Sequence, residues 1–314
     1  MKIIGTGSAL PEKVVTNDML SEMMDTSDEW IRTRTGIKTR RILSNETITD
    51  LAIQAALSAI KDSGLQSSDI DYILCHNVSN DALTPSLAAI INREVQANCP
   101  TLDLNAACTG FIYALDLSDS LLRTNKAKNI LIVCAEQVSH LVDWKQRETC
   151  VLFGDAAGAV VVTASDDNCF FKLSTQFTDA LYCPITWTDT PFQKNTNESN
   201  FLNMRGREVF RMAVSNSIND IHYVFDKSGY TSDDVAYFLM HQANLRILEA
   251  IRNDIHAPEE KMPVNLDRYG NTSSASIPLL IDELNKADKL NRGDLLLLSA
   301  FGAGFTSGAG LLKW

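Results

Sequence analysis

Cys108 ends the strand-like run Leu102-Asp103-Leu104-Asn105-Ala106-Ala107, and a helical pattern begins at once with Thr109-Gly110-Phe111. A thiol in the first turn of a helix feels the positive end of the macrodipole and the free backbone N–H groups, both of which favour thiolate, the nucleophilic form. The small neighbours Ala106, Ala107 and Gly110 permit a sharp elbow and close approach of a substrate. An arbitrary cysteine is more often a small buried hydrophobe, but this placement shifts the reading toward a nucleophile. His241 closes the apolar run Tyr237-Phe238-Leu239-Met240 and opens Gln242-Ala243-Asn244-Leu245-Arg246, the start of a helix. Ligands of α/β sheets bind at the carboxyl ends of strands, so the imidazole is placed for chemistry, although a lone histidine there also serves structure. The other histidines (76, 140, 222 and 256) show no such setting.

Asn271 lies in Gly270-Asn271-Thr272-Ser273-Ser274-Ala275-Ser276, small polar residues leading into an apolar helix. By itself it reads as a helix N-cap. Gly302-Ala303-Gly304 is either a tight turn or a presenter of backbone N–H groups to an oxyanion. Gly5-Thr6-Gly7-Ser8-Ala9-Leu10-Pro11 invites a dinucleotide-loop reading that fails, because Leu10 holds the third glycine position and Pro11 stands where the helix should run. A structural turn is expected there.

Short apolar runs alternate with amphipathic stretches, the pattern of strands and crossover helices in a layered α/β protein. Buried strands are expected at 72–77, 101–106, 129–135, 158–163, 237–240 and 295–301, and helices at 49–63, 86–96, 110–124, 209–228, 243–254 and 276–287. The polar region from Ser165 to about Asn203 reads as a connection between halves rather than a core element, so two α/β halves are expected, 1–165 carrying the cysteine and 166–314 carrying the histidine and asparagine.

The 314 residues carry 28 Lys+Arg against 39 Asp+Glu, a net charge of −11, which repels phosphodiester backbones and anionic lipid and disfavours nucleic-acid or membrane partners. No apolar stretch is long enough to span a membrane, and the first residues lack a signal segment, so a cytoplasmic location is expected. Seven dispersed cysteines without a C-x-x-C suggest neither a disulfide framework nor a zinc site; no metal is expected.

Taken together and in order, IIGTGSALP (3–11), DTSDEWIRTRTG (25–36), NAACTGF (105–111), FGDAAGA (153–159), HQANLR (241–246), GNT (270–272) and FGAGFT (301–306) resemble the β-ketoacyl-acyl-carrier-protein synthase III family of thiolase-fold condensing enzymes. The resemblance runs from the first strand to the last residues. It implies a five-layered αβαβα fold of two similar halves, a homodimer, and no prosthetic group, with coenzyme A entering as a substrate thioester. By position it makes Cys108 the acyl acceptor, His241 and Asn271 the decarboxylation pair, Ala303 an oxyanion donor beside the Cys108 N–H, and Phe301 the aromatic that crowds the departing carboxylate. Trp30, Arg34, Arg147 and Asn244 would meet coenzyme A. Arg211 and Arg246 would meet the acidic carrier protein, and Thr84 would line the acyl pocket across a dimer interface.

The expected partners are therefore an acyl-coenzyme A primer, acetyl or somewhat longer, and malonyl-acyl carrier protein, joined to start type II fatty acid synthesis. Three departures stand out: Ala303 replaces a glycine, Glu148 follows Arg147 where glycine is common, and Thr84 takes the place of a larger residue. Ala303 and Glu148, with the thin basic patch that reads Arg252-Asn253-Asp254 where relatives often carry paired lysines, motivate an alternative, a specialised condensing enzyme or acyltransferase of secondary metabolism, polyketide or quinolone in type. A non-catalytic acyl- or coenzyme A-binding protein is the third reading, weakened by the presence of all three reactive residue types.

Overall fold

A computed structural model describes residues 1–185, 188–196 and 199–314. In chain order the strands of its two large sheets are β1 (Lys2–Ala9), β2 (Tyr72–His76), β3 (Thr101–Leu104), β4 (Asn129–Gln137), β5 (Asp155–Thr163), β6 (Phe170–Thr178), β7 (Tyr237–Met240), β8 (Leu295–Gly302) and β9 (Gly304–Lys313). The longer helices are α1 (Asp28–Thr35), α2 (Ile48–Ser63), α3 (Leu87–Val95), α4 (Gly110–Arg123), α5 (Gly206–Ser228), α6 (Leu245–Asp254) and α7 (Ser276–Lys286).

The first sheet has the order β1-β5-β4-β2-β3, with β2 parallel to both β3 and β4, and all of its strands lie within residues 2–163. The second has the order β7-β8-β9-β6, with β7 parallel to β8, and lies within 170–313. Alternation along each strand assigns its two faces. On β4, Ile130, Ile132 and Cys134 join the same core as Leu239, Leu296 and Leu298 of the second sheet, together with Phe111 and Leu115 of α4 and Leu279 and Leu280 of α7. Leu131, Val133 and Ala135 face the other way, into a core shared with α2 and α3. On β8, Leu295, Leu297 and Phe301 turn outward into a third core with α5 and α6. Helices, sheet, helices, sheet, helices is the expected five-layer stack, and α4 and α7 are its middle layer.

The elements expected from periodicity form close to their expected bounds, with three differences. Residues 5–9 are not a turn: β1 runs straight to Ala9, and a Cβ at Gly7 would lie 2.2 Å from the Ala55 carbonyl, so its glycines let α2 lie directly on the strand. The stretch after Ser165 is not merely a connection, because Phe170–Thr178 forms the edge strand β6; Asn197 and Glu198 of that stretch lie outside the described residues. β9, rich in glycine and small residues, has no strand-like apolar run in the sequence, yet it pairs with both β8 and β6. His76 ends β2 fully buried, and a Cβ on Gly110 would fall 1.8 Å from its Cδ2. Gly110→Ala is therefore expected to cost about 1–3 kcal/mol or more by overpacking, read as a lowered urea midpoint at unchanged slope.

Candidate active site

Each of the three singled-out residues sits where a strand or turn gives way to a helix. Cys108 follows β3 in a single 3-10 turn, Ala107–Thr109, that leads into α4; Ala107 holds φ at 48°, the left-handed conformation that makes the elbow. His241 follows β7, its N–H bonded to the Ser299 carbonyl at 2.8 Å. Asn271 stands before α7, anchored by its N–H to Leu152 O (2.8 Å) and by its carbonyl from the Gly154 N–H (3.0 Å). Cys108, His241, Asn271, Phe301 and Ala303 all line one cavity of about 1150 Å³. The two halves of the chain thus supply one site.

The His241 ring is buried, and its Nδ1 lies 2.8 Å from Ser276 Oγ. Ser276 Oγ also accepts the Gln242 N–H at 3.4 Å, and its hydroxyl is placed to donate to Nδ1. In that arrangement the proton of the neutral ring sits on Nε2, as a donor. Burial drives this imidazole down from about 6.5 to about 3, so it stays neutral at physiological pH. Phe301 meets the ring edge-on at 5.3 Å and stacks on Phe305 at 5.9 Å, which keeps this wall of the cavity apolar. The Asn271 amide is oriented as well: Oδ1 accepts the Ser273 N–H at 2.8 Å, which leaves its NH2 group to donate.

The electrostatics of Cys108 differ from the sequence expectation. Its residue keeps only partial exposure, toward the cavity, and burial pushes the thiol up to about 12; the Ser273 hydrogen bond opposes this and the Glu136 carboxylate adds to it. Enclosure works against the nearby helix end and favours the thiol form. The loop is held from the second half of the chain. Thr306 Oγ1 lies 2.9 Å from Thr109 Oγ1 and 3.1 Å from the carbonyls of Ala106 and Ala303. A Cβ on Gly302 would come 2.6 Å from Cys108 N, so only glycine leaves that approach open. Ala303 follows as the tight turn between β8 and β9, with its carbonyl directed to Thr306 N–H.

At the mouth, α1 is started by Ser27, whose Oγ accepts the Trp30 N–H, and stopped by Gly36 at φ 82°. The guanidinium groups of Arg34 and Arg147 lie over the Trp30 ring at 4.6 and 4.8 Å. Trp30 and Arg34 line the cavity, as does Glu148. Asn244 lines it too, but its side chain is engaged in structure: Nδ2 donates to Arg34 O at 3.1 Å and Oδ1 caps α6 through the Arg246 N–H at 2.9 Å. Arg211, on α5, and Arg246, on α6, are exposed on the surface. Thr84 is exposed in a loop of this chain, next to Leu83, which does line the cavity.

Sequence reasoning missed the residues behind the site. His76, set aside at first, sits beneath the Cys108 loop and accepts the Ala106 N–H at Nε2 (2.9 Å). Its position at the carboxyl end of a strand, the criterion applied to His241, was the available signal. Ser273, Ser276 and Glu136 carried none, because their contacts join segments far apart in the chain.

The matches to known proteins agree with this geometry. Residues 102–179 match the family described as 3-oxoacyl-[acyl-carrier-protein (ACP)] synthase III, and residues 225–314 match its C-terminal part. A β-ketoacyl-[acyl-carrier-protein] synthase III of Clostridium acetobutylicum is 45% identical over 320 residues, covering 100% of this chain and 98% of that protein. The chain belongs to the 3-oxoacyl-[acyl-carrier-protein] synthase III family. It is accordingly a condensing acyltransferase of the thiolase fold. The crystal structure of the family member from Aquifex aeolicus superposes with a TM-score of 0.93 at 42% identity, covering 100% of this chain and 99% of that one. The priming β-ketosynthase of the R1128 polyketide pathway is similar at a TM-score of 0.93 and 31% identity, covering 99% of this chain and 95% of that one.

Proposed function

We propose that the chain condenses an acyl-coenzyme A primer with malonyl-acyl carrier protein through Cys108, His241 and Asn271, forming 3-ketoacyl-carrier protein and carbon dioxide at the start of type II fatty acid synthesis. The observation that carries this reading is the convergence of the three side chains, from both halves, on one cavity that also reaches Trp30 and Arg34. Cys108 attacks the primer thioester and coenzyme A leaves as the thiol. Malonyl thioester then loses carbon dioxide, and the enolate oxygen takes hydrogen bonds from His241 Nε2–H and the Asn271 amide. A neutral donor pair suits this step, since it stabilises the enolate without protonating its carbon. The carbanion attacks the acyl-Cys108 thioester and frees the sulfur. The reaction as written needs no metal or prosthetic group.

Trp30, Arg34 and Arg147 offer an aromatic face and two guanidinium groups, a combination suited to an adenine ring and its phosphates. Trp30→Ala is expected to raise KM for acyl-coenzyme A about tenfold, roughly 1.4 kcal/mol, with a smaller change in kcat, measured by initial rates. Arg211 and Arg246 serve the acidic carrier protein in this reading, and Thr84 serves the acyl pocket of a second copy in a homodimer, a role its exposed loop leaves open to it. Among the described residues no helix is long and apolar enough to cross a membrane. Coenzyme A thioesters and carrier proteins as substrates support a cytoplasmic site of action.

Incubation with acetyl-, butyryl- and longer acyl-coenzyme A plus malonyl-carrier protein tests the reading; absence of 3-ketoacyl product with every primer, in a folded protein, overturns it. The similarity to a polyketide priming synthase and the size of the cavity favour a second reading, condensation of a longer primer in secondary metabolism. Preference for primers beyond butyryl in the same assay selects it.

A further inference from the structure

The acylation step leaves one proton unassigned, that of the Cys108 thiol. His241 is already engaged, its Nδ1 2.8 Å from Ser276 Oγ and its Nε2–H reserved as the donor to the enolate. The Asn271 amide is no base. We propose that Ser273 and Glu136 form a relay that removes this proton: the Cys108 thiol passes it to Ser273 Oγ while the Ser273 hydroxyl proton moves to Glu136 Oε1. The proposal rests on the reading of Cys108 as the acyl acceptor.

The geometry is continuous. Ser273 Oγ lies 3.3 Å from Cys108 Sγ and 3.3 Å from Glu136 Oε1. Glu136 is fully buried at the carboxyl end of β4, and the groups within hydrogen-bond reach of its oxygens are placed to donate. Oε1 accepts Ser274 Oγ–H at 2.6 Å and faces His76 Nδ1 at 3.1 Å; Oε2 accepts the Val78 N–H at 3.2 Å. His76 Nε2 already accepts the Ala106 N–H, so the proton on Nδ1 is the one that faces Glu136 Oε1 and Ser274 Oγ. An oxygen pair surrounded by donors is placed as the acceptor that the relay needs. His76 also ties that carboxylate to the loop bearing Cys108, which makes it a positioning residue.

Ser273 is held in the left-handed region at φ 53°, a conformation that costs about 1 kcal/mol or more for a side chain other than glycine and that clusters at functional sites. Its hydroxyl is thereby placed between sulfur and carboxylate while its N–H orients Asn271. In the balanced step the Cys108 sulfur bonds to the acyl carbon and the bond from that carbon to the coenzyme A sulfur breaks. The proton parked on Glu136 returns through Ser273 to the departing thiolate, giving free coenzyme A and restoring the carboxylate.

The test separates the two half-reactions. Acyl-Cys108 formation from acyl-coenzyme A is followed by mass spectrometry after rapid quench, and carbon dioxide release from malonyl-carrier protein is followed in parallel, for wild type, Ser273→Ala and Glu136→Gln. Each variant is expected to slow acylation about 100-fold, in the range of general base catalysis, and to leave carbon dioxide release within about threefold. Acylation of Ser273→Ala at the wild-type rate, or equal losses in both half-reactions, overturns the relay. Should Glu136→Gln not fold, Ser273→Ala alone decides by the same criteria. Wild-type protein that forms no adduct on Cys108 overturns the nucleophile assignment itself, a result distinct from failure of the relay.

Discussion

Cys108→Ala is expected to lower formation of 3-ketoacyl product by about 10⁴-fold or more, because it removes the atom that carries the acyl group between the two substrates. The variant should fold: the side chain is a small group in a turn held by backbone bonds and by Thr306, and losing the sulfur leaves no buried charge behind. Carbon dioxide release from malonyl-carrier protein is expected to persist, since His241 and Asn271 act on the enolate oxygen without the sulfur. The two signals are therefore expected to part, with acyl adduct absent by mass spectrometry and gas release retained. A variant that still transfers acyl groups to product would remove Cys108 from the mechanism.

His241→Ala is expected to reduce carbon dioxide release by about 10²–10³-fold, the usual loss when one preorganised donor to an oxyanion is deleted. The acyl adduct on Cys108 is expected to form nonetheless, so this variant is the mirror image of the first. The pH dependence follows from the same burial. An imidazole whose proton affinity has fallen to about 3 is neutral throughout pH 5–8, and its Nε2–H is available across that whole range. The decarboxylation rate is accordingly expected to show no limb near 6.5, where an ordinary histidine would change charge. An inflection near 6.5 that disappears in His241→Ala would contradict the buried neutral ring. Asn271→Ala is the companion substitution and shares the oxygen with His241, so the double variant is expected to lose less than the product of the single effects.

How much of this could be read beforehand depends on the range over which each feature is encoded. The run Tyr237–Met240 followed by His241 shows a strand-to-helix junction in a few consecutive residues, and the structure forms that strand with the expected bounds. The strand before Cys108 and α7 after Asn271 also form, the strand ending at Leu104, two residues short of its expected bound, and α7 at Lys286. By contrast β6 carries Lys172, Ser174, Thr175 and Gln176 on an edge strand that is only half covered, so its pattern resembles a connection. β9 is hidden for another reason. Gly308 and Gly310 leave room for Leu173 and Phe171 of β6, and a Cβ at Gly310 would meet the Phe171 ring at 2.8 Å, so the apolar signal of that strand sits on its neighbour.

The sequence by itself determined the layered α/β class and the family and singled out three residues that the fold brings to one cavity, because hydrophobic periodicity and short motifs are local and survive in one dimension. Only the tertiary structure decided the charge states and the support. The Cys108 thiol is raised by enclosure that no local pattern records. The contact of Ser273 with Glu136 spans 137 positions, and that of His76 with Ser274 spans 198. Desolvation and hydrogen bonding between distant segments arise when the two halves close over one another, and they set what a nucleophile and its neighbours can do.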